Sequence, residues 1–158
     1  MKCLVIINLL GERLNDSGIK LILKVNKIYD KFDLIIFNQK NSSNKNEKNK
    51  FIKKSENDYV INKTDYDDDS SFFISKLRNE ETILNVILKE KKINDIYLCG
   101  IYIENEIFST VLDGIKFRYN VFVISDIIIG KDEIKTNKAI DFLKKLGIKF
   151  IQSDDILN

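Results

Sequence analysis

The chain contains no histidine, no proline and no tryptophan, only two cysteines, and no apolar stretch longer than a few residues. Without an imidazole, Ser-His and Cys-His nucleophile pairs and histidine-ligated metal sites are excluded. Cys3 and Cys99 each lie inside an apolar run without redox or metal-ligand spacing, so they read as buried, reduced thiols in a reducing compartment. No run approaches the ~20 apolar residues of a membrane helix, and the start "MKCLVIINLL" lacks the length and small-residue cleavage site of a signal peptide. A cytoplasmic protein with no membrane association is expected. Neither GxGxxG nor GxxxxGK[ST] occurs, which removes the main support for the nucleotide-binding α/β families. The missing proline accompanies abundant lysine, asparagine and isoleucine, the bias of an AT-rich genome, so no single Lys or Asn carries much weight by itself.

What is present suits one domain spanning residues 1–158, long enough to bury a core without disulfides or metals. Apolar residues make up 44% and charged residues 32%, with net charge +2. Such a balance argues against a disordered polyelectrolyte or a dedicated nucleic-acid binder and favours a small ligand or a protein partner.

Short branched apolar runs, "CLVIIN" (Cys3–Asn8) and "FDLIIFN" (Phe32–Asn38), read as strands buried on both faces. Between them Ile19, Ile22, Leu23, Val25, Asn26 and Tyr29 recur at helical spacing behind an N-cap at Asp16 or Ser17, making a βαβ unit. The Asn/Lys-rich stretch of about 39–57 reads as an exposed loop anchored only by Phe51 and Ile52. Further along, the patterns predict strand Asp58–Asn62, helix Glu80–Lys92, strand Asp95–Gly100, helix Asn105–Phe117, strand Val121–Ser125, helix Thr136–Leu146 closed by Gly147, and strand Ile148–Ile151. "NKNEKNK" and "DYDDD" read as solvated loops. Alternation of this kind predicts a three-layer α/β sandwich, a mostly parallel sheet of about six strands with helices on both faces and ligands beyond the carboxyl ends of the strands.

The stretch "TILNVILKEKKINDIYLCGIYIENEIFSTVLDGIKFRYNVFVISDII" resembles the isochorismatase-like cysteine hydrolases, which include nicotinamidase, N-carbamoylsarcosine amidase and isochorismatase. In that family Thr-x-Leu opens a helix, as Thr82 and Leu84 do here, and a buried strand ends in Gly, here Gly100. Six residues on stands the nucleophilic Cys, followed by Val-x-x-Thr-x-x-Asp-Ala. Here Glu106 holds that place, followed by Ile107, Thr110, Asp113 and Gly114. Arg118-Tyr119-Asn120-Val121 and Asp126-Ile127 echo the family's Gly-Tyr-x-Val and later Asp-Ala, and "KAIDFLKKLGIKFIQSDDIL" its C-terminal end.

The first half is similar more loosely. Asn8 stands where the resemblance places the catalytic Asp of an Asp-x-Gln strand, and Leu10 where the Gln would be. Lys63 matches the catalytic Lys, while Lys40, Ser42 and Asn46 fall about where nicotinamidases carry metal ligands, so no metal and no cofactor are expected.

In active relatives the carboxylate takes the thiol proton, the Lys ammonium stabilises charge, and the thiolate attacks a carbonyl. Glu106 is a poor replacement: a carboxylate attacking an amide forms an adduct that mostly collapses backwards. Asn8 cannot serve as a general base. Asn/Lys/Glu still keeps one carboxylate and one ammonium, so the resemblance implies a Glu106–Lys63 ion pair at a helix start. Read without the family pattern, Asn8 is an ordinary strand-end residue and Glu106 an ordinary acidic residue of a first helical turn.

The expectation is a catalytically inactive relative retained for ligand binding or oligomeric assembly, as a homo-oligomer or with a protein partner. The alternative is an active amidohydrolase of nicotinamidase type in which Glu106 and Lys63 activate water against a small carboxamide, with oxyanion donors near Tyr102, Ile103 and Asn105. A sensor that uses Lys63 and the Tyr102 hydroxyl is a third possibility.

Overall fold

The computed structural model describes residues 1–9, 15–40, 51–63, 71–75 and 80–158; the side chains of residues 39, 40, 63, 74, 75, 80 and 81 lie outside that description. The chain runs β1 (Lys2–Ile7), α1 (Asp16–Ile28), β2 (Leu34–Lys40), β3 (Tyr59–Lys63), a two-residue ribbon β4 (Ile74–Ser75) and β5 (Glu80–Glu81), α2 (Ile83–Glu90), β6 (Asp95–Ile101), α3 (Phe108–Lys116), β7 (Asn120–Ile129), α4 (Glu133–Lys145), β8 (Lys149–Ile151) and α5 (Ser153–Leu157).

Six of these strands form one sheet in the order β3-β2-β1-β6-β7-β8, every pair parallel. The apolar runs explain it. In β1, Cys3, Val5 and Ile7 enter the core shared with α2, α3 and α4, whereas Leu4 and Ile6 enter the core under α1 and α5. Burying each such Leu or Ile contributes about 1.5–3 kcal/mol, so a strand clothed on both sides needs no polar face.

Several boundaries differ from those expected, each for a local reason. Helix α1 is capped by Asn15, whose side chain accepts from Gly18 N–H at 3.1 Å, rather than by Asp16 or Ser17. Its buried face is Leu21, Ile22, Val25 and Ile28, and Leu23 is 53% exposed. Of the two loop anchors only Ile52 is buried; Phe51 is exposed but its carbonyl accepts from Asn26. Helix α2 starts at Ile83 because Glu80–Glu81 pairs antiparallel with Ile74–Ser75 and Thr82 N–H donates to Phe73 O at 2.8 Å, which holds that backbone extended. Ile83 itself faces solvent. Helix α4 gains a turn from Asp132, whose carboxylate caps Lys135 N–H at 2.8 Å. Strand β7 runs on to Ile129 across an irregular register against β6, from Leu98↔Val123 to Gly100↔Ile128.

From β1 the chain builds the sheet outward through β2 and β3, and from β6 it builds the other way through β7 and β8. The carboxyl ends of β1 and β6 therefore flank the point where strand order reverses, the place where a parallel sheet opens a crevice. Gly100 lets the two strands close there. Its φ is +124°, and a Cβ would sit 2.0 Å from Ile7 O.

Candidate active site at the switch point

Asn8 is the first residue beyond β1 and has a left-handed φ of 59°, which asparagine tolerates better than most residues. Its N–H extends the sheet ladder to Asn38 O at 2.8 Å, and its Nδ2 donates to Ile101 O at 3.3 Å. The side-chain amide thus bridges the ends of β1 and β6.

Beyond β6 the Ile101–Tyr102 peptide is cis, and Ile103–Ile107 forms a wide helical turn in which Asn105 departs from helical geometry (φ −115°, ψ −111°). This kink delays α3 to Phe108, three residues after the start expected from the sequence. Glu106 lies in the turn between the buried side chains of Ile103 and Ile107 and is 3% exposed. Its Oε2 is buried without a hydrogen-bond partner among the described residues. Its carbonyl accepts from Thr110 Oγ1 at 2.6 Å, and the same hydroxyl accepts from Phe72 N–H at 3.1 Å. Thr110 therefore fixes the Glu106 backbone and ties Ser71–Phe73 to α3, where Phe73 stacks on Phe117.

The other anticipated residues are distributed around this turn. Tyr102 is half-buried, with Lys131 Nζ 5.9 Å from its ring centroid. The Ile103 side chain is in the core, and Asn105 N–H donates to Tyr102 O at 3.2 Å. Lys63 closes β3, its Cα paired with that of Lys40, but both side chains fall outside the described residues, as do Leu10, Ser42 and Asn46. The Glu106–Lys63 ion pair thus lies outside what is described.

Two polar residues escaped the sequence reading. Glu104 Oε1 accepts from Lys131 N–H (2.5 Å) and Asp132 N–H (2.9 Å), fastening the turn to the start of α4. Asn38 is fully buried in β2, and neither amide atom has a hydrogen-bond partner among the described residues. Its only signal was being the single polar residue closing "LIIFN". Cys3 and Cys99 are fully buried, and burial pushes both thiols far above the ordinary range, which disfavours the reactive thiolate.

Asn8, just beyond β1, and the acidic turn after β6 thus lie at the switch point of a parallel α/β sheet, where such folds bind their ligands. A family model described as the isochorismatase domain matches residues 17–155, and the chain belongs to the isochorismatase family. The solved Acinetobacter baumanii nicotinamidase/pyrazinamidase superposes with TM-score 0.83 at 20% identity over 98% of this chain and 97% of that one. Leishmania infantum PnC1 in complex with nicotinate gives 0.83 at 16% over 98% and 93%. Pyrococcus horikoshii pyrazinamidase in complex with zinc gives 0.78 at 22% over 96% and 98%. These likenesses establish the shared fold. Among curated proteins none matches this chain by sequence. The chain lacks histidine, and the described residues contain no group of three or more Cys, Asp or Glu placed to hold a metal.

Proposed function

We propose that this chain is a nicotinamidase-like protein that has lost hydrolytic catalysis and is retained to bind a small ligand in the switch-point crevice. The observation that carries this reading is the pair Asn8 and Glu106. The side-chain amide of Asn8 is committed as a donor to Ile101 O and cannot take a proton from a nucleophile, and a buried carboxylate stands in place of the thiol. What supports binding as the retained use is Glu106 Oε2, a buried acceptor with no hydrogen-bond partner among the described residues. Assembly into a homo-oligomer, or with a protein partner, belongs to the same proposal and is read by light scattering.

The test is ammonia release from nicotinamide and a panel of small amides, comparing wild type with an Asn8→Asp, Glu106→Cys double variant. Silence in wild type with activity in the double variant supports the reading. Turnover by wild type, lost in Glu106→Gln, supports instead the active amidohydrolase in which Glu106, with Lys63, activates water. That alternative draws on the same unpartnered oxygen.

A further inference from the structure

Between α3 and α4 lies a cavity of about 350 Å³ lined by Glu104, Phe108, Lys135, Lys138, Ala139 and Phe142. Its α4 wall follows from spacing. Lys135, Lys138, Ala139 and Phe142 recur at i, i+3, i+4 and i+7, which sets them side by side on one helical face. A large residue in the middle of that face would fill the space against α3, whereas Ala139 leaves it open. Phe108 and Phe142 supply an aromatic wall, their ring centroids 5.6 Å apart and the rings tilted by 48°, and Phe142 remains 49% exposed. The volume falls within the ~300–1,000 Å³ range of small-ligand sites.

The charges around this cavity do not cancel. Lys135 and Lys138 are neighbours on the helix surface, their Cβ atoms ~5–6 Å apart by helix geometry. Neither ammonium makes a hydrogen bond or an ion pair among the described residues. Two like charges so placed repel, and an anion held between them relieves the repulsion. Glu104, the one carboxylate lining the cavity, is not that anion. Its Oε1 accepts from Lys131 N–H and Asp132 N–H, and its Oε2 is buried without a partner. An apolar floor, an aromatic wall and two unpaired ammoniums together fit a ligand with an apolar body and an anionic end.

We infer that this cavity binds a small organic anion, an aryl- or alkyl-substituted carboxylate. The apolar body lies over Ala139 against Phe108 and Phe142, and the carboxylate is held between Lys135 and Lys138. Neither Asn8 nor Glu106 lines the cavity, so the site is separate from the switch-point crevice and does not rest on the function proposed above.

The experiment is an NMR titration of the backbone amides with phenylacetate, benzyl alcohol and benzylamine, which share a ring and differ in charge. Expected is saturable binding of phenylacetate with a dissociation constant of about 1 mM, the scale for a ligand of about ten non-hydrogen atoms, with shifts centred on residues 135–142. Benzyl alcohol should bind at least ~5-fold more weakly and benzylamine not at all. A Lys135→Gln, Lys138→Gln double variant should lose ~5-fold or more for phenylacetate and keep its affinity for benzyl alcohol. Ala139→Leu, which fills the cavity, should abolish both; Phe142→Ala, which removes part of the wall, should weaken both and serves if leucine does not pack. No binding, shifts confined to the ends of β1 and β6, or phenylacetate affinity unchanged in the double-lysine variant would each overturn the inference.

Discussion

The Asn8 side chain reaches from the end of β1 to the end of β6, donating from Nδ2 to Ile101 O at 3.3 Å across the point where strand order reverses. Asn8 thus acts as a strut between two strands. Asn8→Asp replaces that donor with an acceptor facing a carbonyl oxygen. We expect a loss of about 1–3 kcal/mol in urea denaturation at neutral pH. The Asn8→Asp, Glu106→Cys variant should accordingly melt below wild type even as activity appears. An unchanged midpoint for Asn8→Asp would show that this bond contributes nothing.

Gly100→Ala should be among the most damaging single substitutions in the chain. Its Cβ would meet Ile7 O at 2.0 Å, a backbone atom held in the sheet, at a φ of +124° that side chains rarely adopt. A cost above about 3 kcal/mol, or failure to fold, is expected. A soluble variant with a wild-type melting curve would contradict the closeness of β1 and β6.

Thr110 is fully buried and its hydroxyl is used twice, as donor to Glu106 O and as acceptor from Phe72 N–H. Thr110→Val keeps the shape but removes the acceptor of Phe72 N–H and a donor to Glu106 O, for an expected loss of about 1–3 kcal/mol. Thr110→Ser should recover most of the hydrogen-bonding part. Equal stability of the Val and Ser variants in chemical denaturation would argue against the hydroxyl's role.

Asp126 accepts from Ser153 Oγ (2.6 Å), Ser153 N–H (2.7 Å) and Lys24 Nζ (2.9 Å), joining β7 to α5 and α1. Burial alone would raise its pKa, but the Ser153 and Lys24 interactions outweigh burial and hold it below the ordinary aspartate value of 3.8. A carboxylate depressed in the folded state stabilises the fold at pH above its unfolded value, and that contribution is lost as pH falls through the folded value. Asp126→Asn should therefore lower stability at pH 7, and the gap to wild type should narrow as acid is added below about pH 4. A gap constant from pH 7 to pH 2 would rule the linkage out.

Legibility followed the physics of each signal. Strands buried on both faces announce themselves as apolar runs, so the parallel sheet and its order of elements could be read from "CLVII", "LIIF" and "IYLC". Helix starts were less legible. Glu80–Glu81 has good helix propensity, yet pairing with Ile74–Ser75 made it a strand, and Asn105 sits in a kink that no periodicity marks. Asn38 was invisible because one asparagine among many in this chain carries no compositional signal, whereas its burial does.

By itself the amino-acid sequence determined the α/β class, the family and the absence of a histidine nucleophile pair. These follow from residue types and hydrophobic periodicity, which are local properties. Only the tertiary structure decided that Asn8 bridges two strands, that Glu106 is buried in the turn after β6, and that Asn38 is buried on the strand beside β1. Which polar atoms lose water, and which find partners, depends on chain segments far apart in sequence meeting at the switch point.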